Sequence, residues 1–142
     1  MTIDVVPSHD DLAELLACVK TIALVGASNK PDRPSYQVME FLQGRGYRVI
    51  PVNPALAGQS VLGQTAVATL AEIGEKVDMV DVFRAAKDVP PIVDEAAAIG
   101  ANVFWMQLGV VNEDAAAKAR ATGMAVVMDR CPKIELMRGE HD

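Results

Sequence analysis

The chain predicts an α/β fold: a parallel sheet wound in both directions, with helices on both faces, three layers in all. Three observations predict it. Five short apolar runs, at residues 22–25, 49–52, 77–83, 103–106 and 124–128, recur with starts 21 to 28 residues apart. Runs this short and rich in Val and Ile read as strands. The segments between them carry helix punctuation, and that alternation builds right-handed βαβ units. Hydrophobic residues make up 51% of the chain and aromatic ones 4%. That aliphatic, Ala-rich balance suits strands buried on both faces.

Each element has its signal, in chain order. Ser8 and Asp11 have capping-box spacing ahead of Leu12, Leu15, Leu16 and Val19. The run at 22–25 feeds Gly26 and a polar loop. Pro34 then sits where a first-turn proline is tolerated, before Val38, Met39, Phe41 and Leu42; Gly44 and Gly46 stop that helix. The run at 49–52 ends in Asn53-Pro54, and a weak edge strand is expected at 60–62. Thr69 and Glu72 form a second capping box, opening a short helix. Pro90-Pro91 precede Ile92, Val93, Ala96, Ala97 and Ile99, a helix closed by Gly100. Asn112 caps a helix with Glu113 and Asp114 in its first turn and Lys118 and Arg120 toward its end, as the helix dipole favours. Pro132 opens a last short helix through Met137. Without repeats, linkers or low-complexity tracts, residues 1–142 read as one domain with its core at about 12–138.

Composition narrows the partners. A net charge of −6 argues against nucleic acid, whose backbone demands a concentrated basic surface. No apolar run approaches the roughly 18 residues of a membrane span, and no basic-then-apolar leader opens the chain. Two cysteines cannot make a disulfide framework, so a reducing, cytoplasmic location is expected. A small anionic ligand remains compatible, because it needs only a few local cations and backbone amides.

Parallel α/β sheets bind ligands beyond the carboxyl ends of their strands. Here those ends read Gly26-Ala27-Ser28-Asn29-Lys30, Asn53-Pro54, Phe83-Arg84, Gln107-Leu108-Gly109 and Asp129-Arg130-Cys131. The first loop is the strongest. Gly26 permits a tight turn, Ser28 and Asn29 offer donors, Lys30 and Arg33 add positive charge, and Ser35 lies at a helix start, where free N–H groups attract anions. It is not a dinucleotide fingerprint, because Ser28 and Pro31 stand where glycines belong. The acid that grips a ribose in NAD-binding folds is also missing, with Asn53 in its place. Asn53 can donate and accept toward an adenine or ribose edge. Arg84 suits bidentate phosphate pairing, or else a surface ion pair with Asp88. Trp105, inside an apolar run, reads first as core. No catalytic constellation is visible: His9 and His141 lie near opposite ends, and neither metal-ligand spacing nor a G-x-S-x-G elbow occurs. Cys131, between Arg130 and Pro132, is the one residue with nucleophilic potential, and it reads first as an ordinary thiol.

The segments IALVGAS, RPSY, YRVIPVNP, LGQ, VDMVDVFR, WMQLGV and VVMDRCPKIE, in this order and spacing, resemble the stand-alone CoA-binding proteins. Their Rossmann-like domain also occurs in the α subunit of succinyl-CoA synthetase. The resemblance spans about residues 12–138 and implies coenzyme A, or an acyl-CoA, lying across the carboxyl edge of the sheet. It sets Gly26 through Lys30 against the nucleotide phosphates and Asn53-Pro54 near the adenosine. Val82-Phe83-Arg84 and Met106-Gln107-Leu108 fall along the pantetheine path. The synthetase has a lysine in its second turn where this chain has Ala55-Leu56, with Arg33 and Arg84 as substitutes. The domain carrying the synthetase's phosphorylated histidine has no counterpart. The expectation is a module that holds CoA without chemistry. The alternatives are an NAD(P)-dependent oxidoreductase and a thiol-exchange protein using Cys131. A homodimer or a partner enzyme stays open.

Overall fold

The structure, a computed structural model, describes residues 9–139. In chain order the elements are α1 (His9–Ala17), β1 (Thr21–Val25), α2 (Pro34–Gly44), β2 (Arg48–Val52), β3 (Ser60–Val61), β4 (Gln64–Thr65), β5 (Met79–Val82), α3 (Val89–Ala98), β6 (Val103–Met106), α4 (Glu113–Ala121), β7 (Ala125–Val127) and α5 (Pro132–Gly139). Single 3-10 turns lie at Pro54–Leu56, Leu70–Glu72 and Ala86–Asp88. Five strands form one parallel sheet in the order β2-β1-β5-β6-β7. This is the expected Rossmann-like α/β architecture.

Both faces of the sheet are covered. Leu24, Trp105, Met79 and Val127 point into a layer with Leu12, Leu16, Met39 and Leu42, from α1 and α2. Val80, Val82, Phe104 and Met106 point the other way, against Val93, Ala96, Ala116 and Ala119 of α3 and α4. Small alanines on those two helices let them approach the sheet closely. Trp105 is fully buried, as expected of a core residue, and its indole Nε1 donates to the Arg130 carbonyl at 2.8 Å.

Four details depart from the sequence reading. The strand expected at 77–83 is shorter, because Asp78 serves as a clamp at its start. The Asp78 carboxylate accepts the Lys20 and Thr21 amides at 3.0 and 2.9 Å. The strand expected at 124–128 narrows to Ala125–Val127, the three residues that pair with β6. The edge strand at 60–62 is one arm of a separate two-residue hairpin, β3 with β4, turned by Leu62 (φ 49°) and Gly63 (φ 81°). The capping box at Thr69 is only half made: Thr69 makes no cap, while Glu72 accepts the Ala68 amide at 3.0 Å. Pro34, Asn112 and Pro132 open their helices as expected, and the Asn112 side chain accepts the Ala115 amide at 2.9 Å. The Ser8 cap lies outside the described residues.

Candidate ligand-binding site

Strand order reverses between β1 and β5, which opens a crevice at their carboxyl ends. Gly26 leaves β1 with φ 90°, and its amide donates to the Val52 carbonyl at 2.9 Å. The Phe83 amide donates to the Val25 carbonyl at 2.8 Å. The two strand ends are so close that a Cβ on Gly26 would lie 2.5 Å from the Phe83 carbonyl oxygen and 3.2 Å from Arg84 Cδ. Glycine is thus required by the packing of β1 against β5 as well as by the turn.

The loop after β1 is organised from within. Ser28 Oγ accepts the Lys30 amide at 3.1 Å, and the Arg33 amide donates to the Lys30 carbonyl at 3.0 Å. Asn53 fastens this loop to the next. Its Nδ2 donates to the Ala27 carbonyl at 2.8 Å while its Oδ1 accepts the Ala55 amide at 2.9 Å. Both halves of the Asn53 amide therefore hold backbone, a positioning role that the sequence reading did not anticipate. A cavity of about 390 Å³ results, lined by Gly26, Ala27, Ser28, Lys30, Arg33, Ser35 and Asn53, with Pro34, Leu56 and Phe83. It brings together eight of the expected site residues.

Pro34 and Phe83 also line a second cavity, of about 560 Å³, which runs on along β6 and α5. Arg84, Gln107 and Leu108 line it, as expected, and so do Gln37, Val38, Val110, Cys131, Lys133 and Ile134. Gln37, Lys133 and Ile134 were not singled out from the sequence. They lie on the first turns of α2 and α5, and extending the strand-end rule one helical turn onward would have found them. Among the described residues no acidic side chain lines either cavity, so Lys30, Arg33, Arg84 and Lys133 leave the groove cationic in a chain of net charge −6.

Four expected residues are not brought to the groove by their side chains. Val82 and Met106 are buried in the opposite layer, because residues two apart on a strand share a face and Phe83 and Gln107 face the groove. Asn29 is exposed beside the first cavity, and Pro54 lines a different depression, with Thr69 and Leu70. Arg84 stands between its two expected roles. It borders the second cavity while its guanidinium lies 3.5 Å from the Asp88 carboxylate, both side chains being partly exposed.

Two buried polar groups near the groove lack partners among the described residues. Gln107 Oε1 is one; Gln107 is 6% exposed and lines the second cavity. Both oxygens of Asp81 are the others, in a strand position flanked by Leu24 and Trp105. Burial alone pushes the Asp81 carboxyl well above the usual carboxylate range. Among the described residues, no cluster of His, Cys, Asp and Glu side chains suits a metal ion, and no helix is long and apolar enough to cross a membrane.

A doubly wound parallel sheet with a cationic pocket at its switch point puts the chain in the Rossmann-like α/β class. Comparison sharpens that class: residues 20–137 match the family described as CoA binding domain, and the chain belongs to that family. It is 41% identical over 128 residues to the uncharacterized protein YneT of Bacillus subtilis, spanning 90% of this chain and 93% of that one. Its fold matches a Thermus thermophilus protein of known structure with a TM-score of 0.88 and 36% identity, covering 92% of this chain and 98% of the other. It is also 32% identical over 94 residues to the α subunit of an ADP-forming acetate–CoA ligase of Pyrococcus furiosus. That match covers 63% of this chain but only 20% of the ligase subunit.

Proposed function

We propose that the groove holds coenzyme A or an acyl-CoA, with its phosphates in the smaller cavity and its pantetheine arm in the larger. One observation carries this reading: a polar, cationic cavity and a more apolar one share Pro34 and Phe83 and so adjoin as two halves of a trough. CoA has the same division, an anionic nucleotide head and a long, weakly polar arm. Lys30 and Arg33 answer the phosphates, together with the free amides at the start of α2. The unpartnered Gln107 oxygen suits an amide N–H of the arm. Residues 1–142 then act as one cytoplasmic binding unit. Calorimetric titration with CoA tests it, and absence of heat at millimolar CoA with a folded protein overturns it.

The NAD(P) reading draws no support from the site. The position after β2 that should carry an acid is Asn53, whose amide is already committed to Ala27 and Ala55. NADH fluorescence should therefore stay unchanged on mixing.

Arg84 gives a sharper expectation. Its pair with Asp88 is exposed and long, worth under about 1 kcal/mol, so an acceptor on a ligand in the larger cavity can displace it. Arg84→Ala should weaken CoA binding by about 1.5–3 kcal/mol, the range for a charge-assisted hydrogen bond. An unchanged dissociation constant would leave Arg84 with Asp88 alone.

A further inference from the structure

We infer that Cys131 is a thiol-exchange site, at which the protein forms a mixed disulfide with a CoA-type thiol lying in the groove. The inference rests on the CoA reading above. Cys131 follows β7 and immediately precedes Pro132, the first residue of α5. Its carbonyl accepts the Glu135 amide at 3.0 Å, so its backbone is held by the helix. It is only 7% exposed, yet it lines the larger cavity. A thiol placed there meets little of the bulk solvent and all of whatever enters the trough.

A second observation points independently to a ligand in that cavity. Gln107 lines it too, nine-tenths buried, with an amide oxygen that has no partner among the described residues. Such a group costs free energy until a donor arrives. The pantetheine arm carries amide donors and ends in a thiol. With the phosphates at Lys30 and Arg33, the arm can extend past Phe83 into the cavity that holds Gln107 and Cys131. The other thiol, Cys18, is exposed and follows α1, near Asp78 and Asn102 at the amino edge of the sheet. It serves as an internal control.

The exchange needs no outside oxidant beyond a disulfide of CoA. The Cys131 thiolate attacks one sulfur of that disulfide and a new S–S bond forms between Cys131 Sγ and the bound CoA sulfur. The original S–S bond breaks, and its electron pair leaves with the second thiol, which takes up the proton that Cys131 gave up. One disulfide is consumed and one is made. Attack by a reduced thiol on the mixed disulfide runs the step backward. Burial supplies the selectivity, because a disulfide with no affinity for the trough has no route to Cys131.

Intact-mass measurement after incubation with CoA disulfide tests this, followed by peptide mapping of the wild type. One CoA per chain is expected, mapped to Cys131, on wild type and on Cys18→Ser, and none on Cys131→Ala. Modification should run about tenfold or more faster with CoA disulfide than with bis(2-hydroxyethyl) disulfide, because binding replaces a bimolecular encounter. Saturating acetyl-CoA, which has no free thiol, should slow it. An unmodified wild type, an adduct mapped to Cys18, or equal rates for the two disulfides would overturn the inference. Calorimetry of the wild type with reduced CoA separates the two claims. Heat there, beside an unmodified wild type, sinks the exchange and keeps the binding reading; no heat sinks both.

Discussion

Gly26→Ala is expected to lower the stability of the protein by about 3 kcal/mol or more, and to abolish CoA binding in what remains folded. Two costs combine. Alanine at φ 90° is strained wherever it occurs, and here its Cβ would also stand 2.5 Å from the Phe83 carbonyl oxygen. That oxygen belongs to backbone, so no side chain can swing aside. Relief requires β1 and β5 to part at their carboxyl ends. Phe83 lines both cavities, and parting the strands there would pull the trough open at its middle. Gly58→Ala isolates the conformational cost. Gly58 has φ 85° but open space around its missing Cβ, so that variant should lose only about 1 kcal/mol. Urea unfolding of the two variants makes the comparison, and the Gly26 variant should also melt roughly 10 °C below wild type. Equal losses would show that strain alone matters at Gly26 and that the β1–β5 contact yields freely.

The trough was legible in outline because strand ends are a local signal. Gly26, Lys30, Arg33, Phe83, Arg84 and Gln107 all follow apolar runs, or lie within a turn of them, and the sheet brings them to one edge. What the sequence could not show was which way each side chain faces. Val82 and Phe83 are neighbours in the chain but belong to opposite layers. Asn53 failed differently. Its amide has a donor and an acceptor, and nothing local says whether these serve a ligand or the Ala27 and Ala55 backbone. Gln37, Lys133 and Ile134 enter the site from helices whose docking depends on contacts far away in sequence. Asp81 was the least legible. The string V-D-M-V-D-V puts Asp78 and Asp81, three apart, on opposite faces of one strand, and only the helices packed on both sides make the face that Asp81 occupies dry.

That dry face sets the second large expected effect. Both Asp81 oxygens are buried with no partner among the described residues, and burial raises the carboxyl's affinity for its proton. The folded state therefore holds a proton that the unfolded chain releases near the ordinary value of about 3.9. More protons bound in the folded state means that stability falls as pH rises. The contribution of Asp81 is fully favourable below the unfolded value. It then declines by about 1.4 kcal/mol per pH unit until the folded pKa is reached, and is flat beyond. Asp81→Asn keeps the shape and removes the titration. At pH 3 the two proteins should unfold at nearly the same urea concentration. From pH 4 upward wild type should fall behind the Asn variant, by about 1.4 kcal/mol for each pH unit until the folded pKa is reached. Parallel stability curves across that span would mean that Asp81 is ionised in the folded protein and balanced by a partner. Among the described residues the site offers no such partner: the register sets Leu24 and Trp105 beside Asp81, and the nearest groove residue on its own strand line is Phe83, two positions on. A carboxyl kept neutral beneath Phe83 also leaves the floor of the trough without negative charge, which is what an anionic ligand lying above it requires. CoA affinity should then be insensitive to Asp81→Asn in the pH range where that proton is held, and a gain in affinity on that substitution there would reveal a charge that burial had failed to remove.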